Sequence, residues 1–177
     1  MNKNLLIVGA GQYGMIAKEV AESMGVFERI DFLDDNNEIA IGKIKDYEKF
    51  VCDYAYAFVA IGNNAFRLEM IEKLQGACYQ IAILVSPKAF ISPSAQLRKG
   101  TIVEPMAVVQ ANASVSIGCL VCSGAVVKHN AFVGDGCYLD CNSVVQASVL
   151  VPARTKVNAN TVYTIEDATT ALKKGQS

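Results

Sequence analysis

From Ile91 onward an aliphatic side chain returns at every sixth residue: Ile91, Leu97, Val103, Val109, Val115, Val121, Val127, Val133, Leu139, Val145, Val151 and Val157, with Tyr163 closing the series. A second column in the same phase is small: Ala95, Thr101, Ala107, Ala113, Cys119, Ala125, Ala131, Cys137 and Ser143. A third holds Gly100, Asn112, Gly118, Gly124, Asn130, Gly136, Asn142 and Asn160, residue types that tolerate positive φ. A bend therefore recurs every six residues, with a short strand between bends. Three strands and three bends close a triangular coil of about eighteen residues, its interior filled by the aliphatic column. The stretch predicts a parallel β-helix over residues 87–163.

The outside of that coil is unusual. Residues just before each inward aliphatic should face out, yet they include Ile102, Val108, Leu120, Val126, Phe132, Tyr138, Val144, Leu150 and Val162. Between Thr101 and Ala153 the charged residues are Glu104, Lys128, Asp135 and Asp140. A solvated exterior would carry more charge, so partner subunits are expected to cover a large face, and three-sided coils suit a cyclic homotrimer. The tail, residues 164–177, contains a helix-forming segment from Glu166 to Lys174 that can cover the open edge of the last coil.

Residues 1–86 follow a different pattern. Asn4–Val8 is a buried-strand run, followed by Gly9-Ala10-Gly11-Gln12-Tyr13-Gly14. Tyr13, Ile16, Ala17, Val20, Ala21 and Met24 then recur at helical spacing until Gly25. Strand, G-x-G-x-x-G and amphipathic helix in that order turn backbone N–H groups towards a phosphate at the helix N-terminus. A second strand, Arg29–Leu33, ends in Asp34-Asp35, placed to accept from ribose hydroxyls. A tight turn that binds nothing is the competing reading. Tyr54–Ile61 reads as a strand ending in Gly62-Asn63-Asn64, Ala65–Leu74 as a helix, and Ile81–Val85 as a last strand. This small Rossmann-like α/β domain has room for one mononucleotide-binding half, so a nucleotide sugar fits better than a dinucleotide. Arg67, one turn into its helix, could reach a phosphate or lie solvated on the surface.

The chain has 177 residues, a net charge of −1 and six cysteines. Near-neutral charge offers no basic face for nucleic acid. The sequence shows neither a long apolar run nor a basic leader, so the expectation is a cytoplasmic protein with no membrane partner. Cys119 and Cys137 fall in the small inward column, and Cys141 occupies a place held elsewhere by Ala111, Ala147, Ala153 and Ala159. Packed, reduced thiols are expected, with no metal.

His129 is the sole histidine. It follows the inward Val127 by two residues and so points outward beside a corner. Residues eighteen apart stack on neighbouring coils about 4.8 Å apart, placing Ala111 and Ala147 on either side of it. Two alanines leave an open slot beside the imidazole; a merely solvated corner histidine is the alternative.

Taken together, Gly9 to Gly14, Phe32-Leu33-Asp34-Asp35, Ala60-Ile61-Gly62-Asn63-Asn64 with Arg67, and Gly124–Gly134 around Lys128-His129-Asn130 resemble the PglD/NeuD-type sugar acetyltransferases across nearly the whole chain. The resemblance implies a left-handed coil, nucleotide-sugar binding by the N-terminal domain, and acetyl-CoA as co-substrate along the coils between subunits. It implies His129 as general base, with Asn130 beside it where the family usually has an acid. Tyr138 stands where a second family histidine borders the thioester, and the coils are fewer. An N–H near Ala147 is expected to hold the oxyanion. The substrate site implied is Gly9, Gly11, Gln12, Tyr13, Gly14, Asp34, Asp35, Gly62, Asn63 and Arg67. N-acetylation of a nucleotide-linked amino sugar is the expected reaction. O-acetylation of a sugar such as sialic acid, or a non-catalytic nucleotide-sugar-binding trimer, are the alternatives.

Overall fold

The computed structural model describes residues 2–174. Asn4–Val8 (β1), Arg29–Leu33 (β2), Tyr56–Val59 (β3) and Gln80–Ile81 (β4) form one parallel sheet in the order β2-β1-β3-β4. Side chains of β1 alternate between its two faces, as the two-residue strand period requires. Leu5 and Ile7 pack with Ala17, Val20 and Ala21 of the helix Gln12–Met24 (α1). Leu6 and Val8 pack with Met70, Ile71 and Leu74 of the helix Asn64–Gly76 (α2). Gly25 ends α1 in the left-handed region at φ 64°, and the Asn63 side chain caps α2 by accepting from Phe66 N–H at 3.0 Å. The chain leaves β1 towards both neighbours in turn, so the carboxyl ends of β1 and β3 flank a topological switch point, where open α/β sheets bind ligands.

Ile44–Phe50 forms a 3-10 helix that the sequence reading did not anticipate. Its apolar residues Ile44, Tyr47 and Phe50 are three apart and pack on the α2 side of the sheet, the face a three-residue turn superimposes.

The second unit is a triangular prism of two-residue strands in three parallel sheets. One face stacks Leu84–Val85, Ile102–Val103, Leu120–Val121, Tyr138–Leu139 and Lys156–Val157. The second runs from Phe90–Ile91 to Val162–Tyr163, and the third from Gln96–Leu97 to Leu150–Val151. Every register step is eighteen residues, for example Val126 with Val108 and Val144. The aliphatic column is buried from Val103 to Val157 together with Ala107, Ala113, Cys119, Ala125, Ala131 and Cys137. Corners at Asn112, Asn130, Asn142 and Asn160 have φ of 56–58°; Gly100, Gly118, Gly124 and Gly136 serve four more, and Met106, Ser148 and Arg154 adopt positive φ at three others. Leu84–Val85 is already a rung of this prism. The single strand expected over Ile81–Val85 is thus divided between the two units, and the prism begins before residue 87. Ile165–Lys174 (α3) closes the far end, burying Ala168 against the prism core. Residues 175–177 of the expected tail lie outside the described residues.

The apolar exterior has two explanations rather than one. Ile102 and Leu120 are wholly buried, packed with Leu5, Ile7, Ala17 and Val20 of the chain's own α/β domain. That face needs no partner subunit. Phe90, Phe132, Leu150 and Val162, on the other two faces, remain exposed.

Candidate active site

After β1 the chain turns through Gly9, at φ 104°, and enters α1 at Gly11. Gly14 lies against this turn so closely that a Cβ there would sit 2.2 Å from the Gly9 carbonyl oxygen. A Cβ on Gly11 would meet nothing within 4 Å. Gly14 is thus required for packing, whereas Gly11 leaves free space in front of the helix. The α1 N-terminus has no side-chain cap and no acid in its first turn, so its N–H groups and positive dipole end are available to an anion. Gln12 beside it is exposed.

Asp34 organises this loop from the end of β2. One of its oxygens accepts from Ala10 N–H at 2.7 Å, and the other from Asn36 and Asn37 N–H at 2.8 and 3.1 Å. The Ala10 bond is the chief cause of a carboxyl held below its ordinary range. Asn37 Nδ2 returns a bond to the Ala10 carbonyl at 2.6 Å. Asp35 is exposed, accepts from Ile44 N–H at 3.1 Å through one oxygen, and receives Lys43 on its backbone carbonyl. An open groove of about 620 Å³ runs between Gly11 and Asp34, Asn36 and Asn37.

The loop after β3 brings Gly62 and Asn63 to the same end of the sheet, both exposed. Arg67 behaves differently from either expectation. It is fully buried, with its donors directed to the carbonyls of Ile61 and Gly118 (both 2.7 Å), Gly136 (2.9 Å) and Gly62 (3.3 Å), and to Asn64 Oδ1 (2.8 Å). It is neither a surface arginine nor a phosphate ligand, because its fork of donors is saturated by the protein. It joins the β3–α2 loop to two corners of the prism.

The opposite edge of the docked face carries a second join. Tyr13 Oη, from the glycine loop, donates to Glu104 Oε1 at 3.0 Å; Glu104 Oε2 accepts from Ser123 N–H and Oγ at 3.0 and 2.9 Å. Burial, together with the nearby Cys122 and Glu104, holds the Tyr13 phenol protonated well above its ordinary range. Tyr138 packs edge-on against Tyr13 with ring centroids 6.3 Å apart, and Lys156 Nζ lies over the Tyr138 ring, 4.9 Å from its centroid. Tyr138 therefore faces the α/β domain of its own chain and is not brought to His129. Neither Glu104 nor Ser123 was singled out from the sequence; 91 residues separate Tyr13 from Glu104, and no local pattern links them.

His129 occupies the edge between the second and third faces, remote from the docked face, and is exposed. Its N–H donates to Gln110 Oε1 at 3.1 Å and its carbonyl accepts from Ser148 N–H at 3.1 Å, fixing the backbone between neighbouring coils. Asn130, at φ 58°, donates its N–H to the Ala111 carbonyl at 3.0 Å. The eighteen-residue register stacks Ala111 and Ala147 around His129 as expected. Among the described residues nothing accepts from the Ala147 N–H. Within one chain the glycine loop and His129 thus lie on different sides of the prism.

All six cysteines are free thiols. Cys119 and Cys137 donate to the carbonyls of Gly134 and Pro152, both at 3.1 Å. Among the described residues no group of three or more His, Cys, Asp or Glu could hold a metal ion, and no helix is long and apolar enough to cross a membrane.

Comparison with known proteins finds relatives of both units. The PglD N-terminal domain family matches residues 4–74. A curated relative, UDP-N-acetylbacillosamine N-acetyltransferase of Bacillus subtilis (strain 168), is 26% identical over 110 residues, covering 56% of this chain and 50% of the relative. The chain thus matches about half the length of that protein. The acetyltransferase domain of PglB from Neisseria gonorrhoeae FA1090 superposes with a TM-score of 0.81 at 25% identity, over 92% of both chains. The same domain in complex with acetyl coenzyme A gives 0.80. PerB from Caulobacter crescentus, solved with CoA and GDP-perosamine, shares the fold at a TM-score of 0.64, 18% identity and 91% coverage of both chains. The prism is a left-handed parallel β-helix, as in these neighbours, and the chain is similar to the PglD/NeuD-type sugar acetyltransferases.

Proposed function

We propose that this protein is an acetyl-CoA-dependent N-acetyltransferase of a nucleotide-linked amino sugar, working as a homotrimer with His129 as general base. The observation that carries the reading is the solitary, exposed His129 at a free prism edge, in the same chain as a glycine loop with open space at Gly11 before an uncapped helix N-terminus. The curated relative is named for N-acetylation of a UDP-linked sugar, and the Neisseria domain was solved with acetyl coenzyme A.

In this account the diphosphate lies before Gly11, against the N–H groups of Gln12, Tyr13 and Gly14. Asp34 holds the loop, Asp35 offers its free oxygen to the ribose, and the Gly62-Asn63 loop forms the other wall. The sugar amine attacks the thioester carbonyl while the His129 imidazole takes the ammonium proton. The Ala147 N–H, one coil on, receives the oxyanion. Collapse expels the CoA thiolate, which recovers the proton, leaving the amide. Asn130 supplies the positive-φ corner that aims His129. The glycine loop and His129 of one chain are on different sides of the prism, so the complete site takes its nucleotide loop from one copy and His129 from its neighbour. Phe132 and Leu150, exposed on the third face, provide apolar surface for that contact.

A thermal-shift panel of UDP-, GDP- and dTDP-linked amino sugars, acetyl-CoA and NAD tests the reading. One nucleotide series and acetyl-CoA should each raise Tm, equivalent to about 2.7 kcal/mol at a hundredfold excess over Kd. Stabilisation by NAD, and by no nucleotide sugar, would overturn it.

A further inference from the structure

Glu104 is a buried carboxyl group with no ion-pair partner among the described residues. It is 4% exposed, and both of its oxygens act as acceptors, from a phenol and from a backbone N–H and hydroxyl. Hydrogen bonds alone offset only part of the cost of removing a carboxylate from water. Glu104 also lines a cavity of about 520 Å³ between α1 and the prism edge, together with Ser23, Ser86, Ser123, Glu19 and Lys88. Two carboxylates and one ammonium leave that cavity net negative. The other titratable groups around Glu104, Tyr13, Cys122 and Tyr138, are all pushed upward chiefly by burial and stay neutral.

The cavity is continuous in sequence with the glycine loop. Tyr13 lies two residues beyond Gly11, and Ile16, one turn along α1 from Gln12, lines the cavity. One helical turn, roughly 6 Å, thus separates the cavity from the α1 N-terminus, with the Tyr13–Glu104 bond between them. A net-negative wall would repel a second phosphate but would accept a cationic group, and the three serine hydroxyls suit a polyhydroxylated ring.

We propose that Glu104 is a specificity-determining residue for the sugar: its carboxylate pairs with the protonated amine of a nucleotide amino sugar and so selects the amino form over the hydroxyl form. This rests on the nucleotide-sugar reading above. Glu104 supplies the carboxylate at the site, and Tyr13 and Ser123 keep it oriented. Proton removal from the bound amine remains the task of His129.

Calorimetry without acetyl-CoA tests this on the full-length protein, using three probes: the nucleoside diphosphate, its amino sugar and the same sugar bearing hydroxyl in place of the amine. Wild type should bind the amino form about thirtyfold or more tighter than the hydroxyl form. Glu104→Gln can keep the fold, because its amide oxygen can accept from Ser123 while its nitrogen donates to the Tyr13 oxygen. It should lose that preference and leave nucleoside diphosphate affinity unchanged. Equal binding of the two sugars by wild type overturns the proposal while leaving the nucleotide site intact. Equal weakening of the nucleoside diphosphate by Glu104→Gln also overturns it, since Glu104 would then be a structural brace. Failure of wild type to bind any of the three would sink the nucleotide-sugar reading itself, and this inference with it.

Discussion

Arg67 Nη2 donates to the carbonyl of Gly136 at 2.9 Å, joining the α/β domain to a prism corner 69 residues away. The same guanidinium holds Gly118 on the coil before and Ile61 at the start of the β3–α2 loop. On the far edge of the docked face, Tyr13 and Glu104 make the matching join. The two loops expected to hold the nucleotide are therefore each joined to the β-helix by a side-chain hydrogen-bond contact, one at either edge of the docked face.

Arg67→Ala leaves several buried carbonyls without donors and opens a cavity between the domains. It should cost about 3 kcal/mol or more in denaturant unfolding, with Arg67→Lys only partly restoring stability because a point ammonium cannot span the fork. A melt within experimental error of wild type would show that the interdomain join does not depend on this residue.

Gly11 and Gly14 should separate binding from folding. Gly11→Val places its side chain in open space at an extended backbone angle, so Tm should hold while nucleotide-sugar affinity falls by about tenfold or more. Gly14→Ala drives a methyl group into the Gly9 carbonyl and should destabilise the whole domain. Circular dichroism melts with parallel calorimetry distinguish the two outcomes; a Gly11→Val protein that binds normally would place the phosphate elsewhere.

How much of this was legible in the sequence depends on whether the determining contact is periodic. The hexad column predicted the prism because each coil repeats the same demand on every sixth residue, and β1, α1 and β2 were bounded by Gly9, Gly25 and Asp34. Arg67 was not legible, since an arginine one turn into a helix has the same sequence context whether its partners are water or carbonyls from distant corners. The apolar outer column was read with one cause, yet Ile102 and Leu120 are covered within the chain while Phe132 is not. That division depends on how two domains dock, and no local spacing encodes it. Tyr138 followed the same pattern: its register was right, but the face to which that register belongs was set by the α/β domain.

This division makes the assembly testable. Phe132→Glu, on a free face, should dissociate the proposed trimer into folded monomers in sedimentation, with Tm falling only through loss of subunit contacts. Leu120→Glu buries a charge between the domains and should unfold the chain, by about 4 kcal/mol or more. A wild-type protein that sediments as a stable monomer would remove the proposed two-chain site.

Asp34 gives a pH signature. Its folded carboxyl lies below the ordinary value, chiefly because of the Ala10 N–H, so the unfolded chain binds the proton more readily. Its contribution to stability is therefore full above about pH 4 and is lost as pH falls through the folded value. Asp34→Asn should cost about 1 kcal/mol at pH 7, a modest figure because solvent still reaches and screens this half-buried group. The gap from wild type should narrow on acidification below about pH 4. A gap constant from pH 7 to pH 3 would mean that the charge on Asp34 contributes nothing.

The most direct measurement is acetyl transfer from acetyl-CoA to the nucleotide amino sugar identified in the thermal-shift panel, by wild type and by His129→Ala. His129 is exposed between Ala111 and Ala147, so its removal opens no core cavity and leaves the melt and the nucleotide-sugar Kd near wild type. The account predicts that kcat falls by about a hundredfold or more, the range of a lost general base. Equal turnover by the two proteins would contradict it.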